Sequence, residues 1–219
     1  MQSDEALEVT TGENPIGSVI WLHGLGADGH DFEPIVPQLR LPADRPLRFV
    51  FPHAPVQAVT INGGMAMRSW YDILSLDSTD RADRAGLLQS SARLDGLIDR
   101  EIERGIASEN IVIAGFSQGG AVAIQSALHG KHKLAGLMAL STYMALPDDA
   151  ADALSRRDLP IFMAHGSFDP VLQLAWGRAS ADKMIEVGYS VEWHEYPMAH
   201  AVCPQEIVAI SAWLSAIYT

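Results

Sequence analysis

The sequence predicts an α/β fold: a mostly parallel central sheet with helices on both faces and no separate cap domain. Three observations carry this. Short β-branched apolar runs recur along the chain, segments of helical periodicity lie between several of them, and no linker, repeat or low-complexity tract divides the 219 residues. Strands that alternate with helices are joined by crossovers, which set neighbouring strands parallel and cover the sheet with helices.

The elements follow in chain order. Glu5 to Thr11, ahead of the turn Gly12-Glu13-Asn14-Pro15, is expected as an extra antiparallel edge strand. The runs Ser18 to Leu22, Leu47 to Phe51, Ile111 to Ala114, Leu134 to Leu140, Leu159 to Ala164 and Tyr189 to Tyr196 are short and rich in β-branched residues, and read as strands. Residues 84–103 place Leu87, Leu88, Leu94, Leu97, Ile98 and Ile102 at helical spacing with charges between them. Further helices are expected over 118–128, over 174–187 where Gly188 closes the segment, and over 206–217. The longest stretch without clear periodicity is His53 to Asp83, where Gly63-Gly64 precedes Met65, Met67, Trp70, Tyr71, Ile73, Leu74 and Leu76. Irregular segments of that length are usually functional.

Residues 1–219 read as one domain, large enough at 48% hydrophobic content to enclose a deep site. A formal charge of −12, with 15 basic residues scattered among 27 acids, argues against nucleic acid or an anionic membrane as partner, because phosphates need clustered Lys and Arg. Met1-Gln2-Ser3-Asp4-Glu5 lacks the basic region followed by an apolar one that a secretory signal is expected to show, and no apolar stretch approaches the roughly 18 residues expected of a membrane span. A cytoplasmic protein without stable membrane insertion is expected; a homodimer is left open. Cys203 is the single cysteine, so there is no internal disulfide and no cysteine metal cluster. Just before Pro204 at a helix start, it reads as a small buried apolar residue.

The chemistry concentrates around Ile111 to Ile124. A β-branched run ends in Gly115-Phe116-Ser117-Gln118-Gly119-Gly120 and continues as an alanine-rich helix former, the strand, sharp turn and helix that hold a serine out at the tip of a nucleophile elbow. Such a turn brings strand and helix backbones together, so its glycines are small for a steric reason. In an open parallel sheet, ligands bind beyond the carboxyl ends of the strands. Four runs lead to polar residues on that edge: His23-Gly24-Leu25-Gly26, Ser117, His165-Gly166-Ser167-Phe168-Asp169 and His200. A serine hydroxyl needs an imidazole to take its proton and a carboxylate to hold that imidazole, and the order Ser117, Asp169, His200 suits this architecture.

Other residues compete for these roles. His194 lies inside an alternating strand, and His129 and His132 flank Gly130 at a helix end, where capping accounts for them. Asp148, Asp149 and Asp152 follow Pro147 as a helix start, and Asp158 precedes its strand, at the wrong end. Asp169 is held extended by Pro170. The oxyanion formed on attack needs fixed donors, best supplied by backbone N–H groups: Gln118, which opens the helix, and Leu25 in the glycine-rich turn.

Together these segments resemble the small carboxylesterase and acyl-protein thioesterase family of the α/β-hydrolase superfamily. The resemblance rests on Trp21-Leu22-His23-Gly24-Leu25-Gly26-Ala27-Asp28-Gly29, Ser69-Trp70-Tyr71-Asp72-Ile73, Gly115 to Gly120, His165 to Val171 and His200-Ala201-Val202-Cys203-Pro204-Gln205-Glu206, in that order over nearly the whole chain. It implies Ser117 as nucleophile, Asp169 as acid, His200 as base, Leu25 and Gln118 as oxyanion donors, no metal or other cofactor, and an apolar acyl groove beneath the loop of Met65, Met67, Trp70 and Ile73. The Ala27-Asp28-Gly29 turn is more similar to the bacterial esterases than to the eukaryotic thioesterases. The expected activity is a serine carboxylesterase acting on short- to medium-chain esters through an acyl-enzyme. An acyl-protein thioesterase or lysophospholipase with the same residues is the alternative, its substrate an acylated protein or lysophospholipid in place of a small ester. A catalytically silent binding protein on the same fold is the rival of another class.

Overall fold

Alternation within the apolar runs sorts the core into two layers. The computed structural model describes residues 6–75, 82–152 and 158–219, so Glu5 and Leu76 lie outside the described residues. Among the described residues, nine strands and four α-helices occur in the order β1 (Ala6–Thr10), β2 (Gly17–Leu22), β3 (Leu47–Pro52), β4 (Val56–Val59), β5 (Met65–Arg68), α1 (Arg84–Glu103), β6 (Ile111–Phe116), α2 (Gln118–His129), β7 (Gly136–Leu140), β8 (Ile161–Gly166), α3 (Leu174–Glu186), β9 (Val191–Tyr196) and α4 (Pro204–Ile217). Seven strands form one sheet in the order β1-β3-β2-β6-β7-β8-β9. The edge strand β1 runs antiparallel to β3 and every other pairing in this sheet is parallel. This is the α/β architecture expected, with the antiparallel edge strand in place.

Because side chains alternate along a strand, Ile20, Leu22, Ile111 and Ile113 face one layer while Val19, Trp21, Val112 and Ala114 face the other. The first layer is closed by α1 through Leu87, Leu94 and Ile98, by α2 through Val122 and Ile124, and by α3 through Met184. The second is closed by α4 through Ile207, Ile210 and Leu214 and by Val36 of a 3-10 segment, Glu33–Gln38. Among the buried side chains is a carboxylate: Glu101 of α1 accepts hydrogen bonds from Ser18 Oγ (2.5 Å), Arg48 (2.7 Å) and Arg104 (2.8 Å), tying that helix to β2 and β3. With each oxygen on a charged donor, the carboxylate is compensated for its burial.

The irregular segment after His53 is more ordered than its periodicity implies. β4 and β5 form an antiparallel hairpin, with the 3-10 turn Thr60–Asn62 between them and Gly63 and Gly64 at φ 67° and 77°. Strands of four residues are too short to establish a period, and only the Asn62-Gly63-Gly64 turn chemistry marks them in the sequence. Asp72 anchors the base of this excursion by accepting from Thr60 N (2.7 Å) and Thr60 Oγ1 (2.5 Å). The described residues contain no separate cap domain. Cys203 differs from expectation: it is the N-cap residue of α4 and is only half-buried, because a cap residue sits where the chain enters from a loop.

Candidate active site

Ser117 occupies the turn between β6 and α2 at φ 54°, ψ −119°. A non-glycine residue in such a region costs about 1–3 kcal/mol and persists only where its surroundings over-determine it. They do so here. A Cβ on Gly115 would lie 2.3 Å from the Gly119 carbonyl oxygen, and one on Gly119 would lie 2.6 Å from the carbonyl oxygens of both Leu22 and His23, so strand and helix approach as only glycine permits. Thr142 Oγ1 donates to the Ser117 carbonyl at 2.6 Å, and Ser117 N donates to Leu140 O at 2.9 Å. The hydroxyl is carried at the carboxyl end of a central strand.

Asp169 and His200 meet on the same edge, delivered by the segments after β8 and β9. His200 Nδ1 lies 2.6 Å from Asp169 Oδ2, and the Asp169 side chain is fully buried. Its other oxygen accepts from Val171 N (2.8 Å) and Leu172 N (2.9 Å), which fixes the carboxylate plane. The two loops are joined directly, since Ser167 N donates to Tyr196 O and Phe168 N to Met198 O. The His200 ring sits 4.7 Å, centroid to centroid, from Phe116, the residue before Ser117. The competing residues stay apart: His194 pairs with Glu192 at 2.7 Å and stacks on Phe162, and His132 lies 3.0 Å from Asp99.

The N–H groups of Leu25 and Gln118 have no hydrogen-bond acceptor among the described residues. Their turns abut, because a Cβ on Gly24 would stand 3.5 Å from the Ser117 Cβ. His23 is buried and neutral. Burial lowers its pKa to about 4, its Nδ1–H faces Gly24 O at 2.7 Å, and its Nε2 accepts from Ala54 N at 3.0 Å.

The four residues assigned to an acyl groove divide. Met65 is 64% exposed, and Met67 places its sulfur 3.8 Å from the position of a Gly26 Cβ, beside the glycine turn. Trp70 is 2% exposed and its indole N–H donates to His23 O at 2.8 Å, so it underlies the rim and does not wall an open groove. Ile73 is half-buried and packs on the first core layer. The apolar pattern marked the segment; which of its side chains turn inward depends on the hairpin. If Met65 and Met67 guide the acyl chain, Met65→Ala and Met67→Ala weaken the rise of kcat/KM with chain length, about fourfold per buried methylene at full burial, and spare the shortest substrate. Rates across a chain-length series check this; equal losses at every length count against it.

Three side chains matter more here than their sequence context suggests. Gln118 uses its amide as a clamp: Nε2 donates to Ser69 Oγ (2.9 Å) and Tyr71 O (2.6 Å), and Oε1 accepts from Trp70 N (2.9 Å). His165 is buried with Nε2 at 2.9 Å from Leu172 O and 3.5 Å from Asp169 Oδ2, a second imidazole on the acid; its place four residues before Asp169 is the only sequence signal. Glu206, in the first turn of α4, is fully buried, and neither carboxyl oxygen has a hydrogen-bond partner among the described residues. Burial pushes its pKa up to about 8, and nothing local in the sequence announces it.

Fold and rim together define an α/β hydrolase. The chain belongs to the phospholipase/carboxylesterase family, whose model matches residues 5–218. Among curated relatives, acyl-protein thioesterase 1 of Neurospora crassa is 42% identical over 209 residues, covering 90% of this chain and 85% of that protein. Acyl-protein thioesterase 1 of Cryptococcus neoformans is 37% identical, covering 95% of each chain. Among solved structures, Arabidopsis thaliana SOBER1 superposes with TM-score 0.85 at 30% identity over 93% of this chain and 99% of its own. Zea mays acyl-protein thioesterase 2 gives 0.85 at 26% identity over 98% and 99%. The protein is therefore a hydrolase of the esterase and thioesterase type. The fungal relatives carry the thioesterase name, against the lean toward bacterial esterases read from Ala27-Asp28-Gly29. Among the described residues no helix is long and apolar enough to cross a membrane.

Proposed function

We propose that the chain is an acyl-thioester hydrolase that removes acyl groups from cysteine side chains of proteins, with Ser117, His200 and Asp169 as its triad. The observation that carries the reading is the 2.6 Å His200–Asp169 pair on the same sheet edge as the strained Ser117. Ser117 Oγ attacks the acyl carbonyl as His200 Nε2 takes its proton, and Asp169 stabilises the imidazolium through Nδ1–H. The N–H groups of Leu25 and Gln118 receive the oxyanion. Collapse expels the thiolate, which leaves with the proton from His200; water, activated by the same imidazole, then hydrolyses the acyl-enzyme.

The thioesterase reading replaces the broader carboxylesterase one because the relatives at 42% and 37% identity are named for that activity. The charge of −12 further favours a leaving group without multiple negative charges, such as a protein cysteine, over an acyl-carrier nucleotide. Paired peptides test this. One carries an S-acyl cysteine and the other an O-acyl serine, with the same sequence and acyl chain. A higher kcat/KM for the thioester is expected, and a preference for the oxoester returns the chain to the carboxylesterase reading. A fluorophosphonate probe locates the nucleophile by mass spectrometry of the labelled peptide; an adduct elsewhere than Ser117 removes the triad, and no adduct favours a silent binding protein.

A further inference from the structure

The two amides assigned to the oxyanion belong to different elements, one to the turn after β2 and the other to the first residue of α2. β2 and β6 pair in parallel with Leu22 opposite Gly115, where their register ends. Beyond that point the sheet ladder no longer sets Leu25 against Gln118, yet an oxyanion hole needs its donors fixed to a few tenths of an ångström before the charge appears.

We propose that residues 68–70 are the spacer that sets this separation, which makes Trp70, together with the Gln118 side chain and His23, a positioning unit for the oxyanion hole. The inference rests on the reading of Leu25 and Gln118 as the donors. Trp70 touches both turns at once: its backbone N–H donates to Gln118 Oε1 at 2.9 Å, and its indole N–H donates to His23 O at 2.8 Å. Gly26 N donates to Arg68 O at 2.9 Å, so Leu25 is bracketed on both sides by hydrogen bonds to the same three-residue stretch. On the helix side the Gln118 amide uses its oxygen on Trp70 and its nitrogen on Ser69 Oγ, both in the spacer, and its second N–H on the carbonyl of the next residue, Tyr71. His23 completes the unit. Its neutral ring accepts from Ala54 N and holds the start of the turn against the segment that leads into the hairpin. Trp70, Gln118 and His23 are each no more than 2% exposed, so no water competes for these bonds. A donor displaced by a fraction of an ångström still binds substrate, but it loses the interaction made only in the transition state.

Trp70→Phe tests this, because it keeps an aromatic ring in the core and removes the one bond to His23 O. Per active site, counted by fluorophosphonate titration, kcat falls roughly ten- to a hundredfold while KM stays within about threefold. The affinity for an acyl trifluoromethyl ketone, whose adduct with Ser117 presents an oxyanion, falls by the same factor as kcat/KM. Gln118→Ala, which leaves its own N–H in place, is the second variant. It follows the same proportionality with a larger loss, and it keeps the question open to test if Trp70→Phe folds poorly. A purely structural role lowers the titre of active sites and leaves kcat per site and inhibitor affinity unchanged, which overturns the proposal. Labelling of wild-type protein at a residue other than Ser117 overturns the triad reading instead, so the two failures are distinct.

Discussion

Ser117→Ala and His200→Ala are each expected to lower kcat by roughly four to six powers of ten, with the melting temperature nearly unchanged. The reason is geometric. The serine is a poor nucleophile unless an imidazole removes its proton as it attacks, and the imidazole serves only while its other nitrogen is held by Asp169, which it meets at 2.6 Å. In the proposed triad neither residue functions without the other, so the double variant is expected to lose little more than either single one. Asp169→Asn is expected to lose somewhat less, because the Val171 and Leu172 amides still hold the side chain while the imidazole is offered the wrong tautomer. Pre-steady-state and steady-state rates on one thioester, alongside thermal melts, check all four proteins. Additive losses in the double variant break the assignment.

The second large effect is on stability and comes from two buried groups with opposite signs. Burial raises Glu206 from an ordinary 4.5 to about 8, so as pH rises through that window the unfolded chain ionises while the native one stays protonated, and stability falls. From pH 4.5 to 8 the loss is about 5 kcal/mol. Burial lowers His23 from 6.5 to about 4, so stability from this group is complete above 6.5 and is lost as pH falls toward 4, by about 3 kcal/mol. Between 4.5 and 6.5 the two slopes offset each other. Above 6.5 Glu206 acts alone, and below 4.5 His23 does. Glu206→Gln keeps the shape and removes the titration, so the variant is expected to match wild type near pH 5 and to be more stable by several kcal/mol at pH 8. Denaturant melts at the two pH values measure this, and parallel curves for the two proteins are the contrary result. Glu206 occupies the first turn of α4, which begins four residues after His200.

Much of the architecture was legible because strands and helices declare themselves by local period. Residues 84–103 form a helix with the bounds that their leucine and isoleucine spacing indicates, and the buried strands show as continuous apolar runs because helices cover both faces. The elbow was legible for a related reason. Gly115 and Gly119 mark where backbones come within contact, and a motif whose residues are adjacent in the chain carries its geometry with it. The hairpin of β4 and β5 was not, because four-residue strands leave no period to read.

Local sequence accounts for the parallel sheet, the rim at its carboxyl edge, and the residue types that stand there as Ser117, Asp169 and His200. Each of these follows from contacts between chain neighbours or from the rule that parallel strands end on one side. Tertiary structure alone decided the inward turn of Trp70, the three-bond clamp of Gln118, the second imidazole of His165 beside Asp169 and the unpartnered burial of Glu206. Those properties depend on partners in distant segments: Gln118 and Trp70 are 48 residues apart, and Trp70 and His23 are 47. A side chain's identity limits what it can donate or accept, but only the packed fold supplies the group on the other side of the bond and excludes the water that would compete for it.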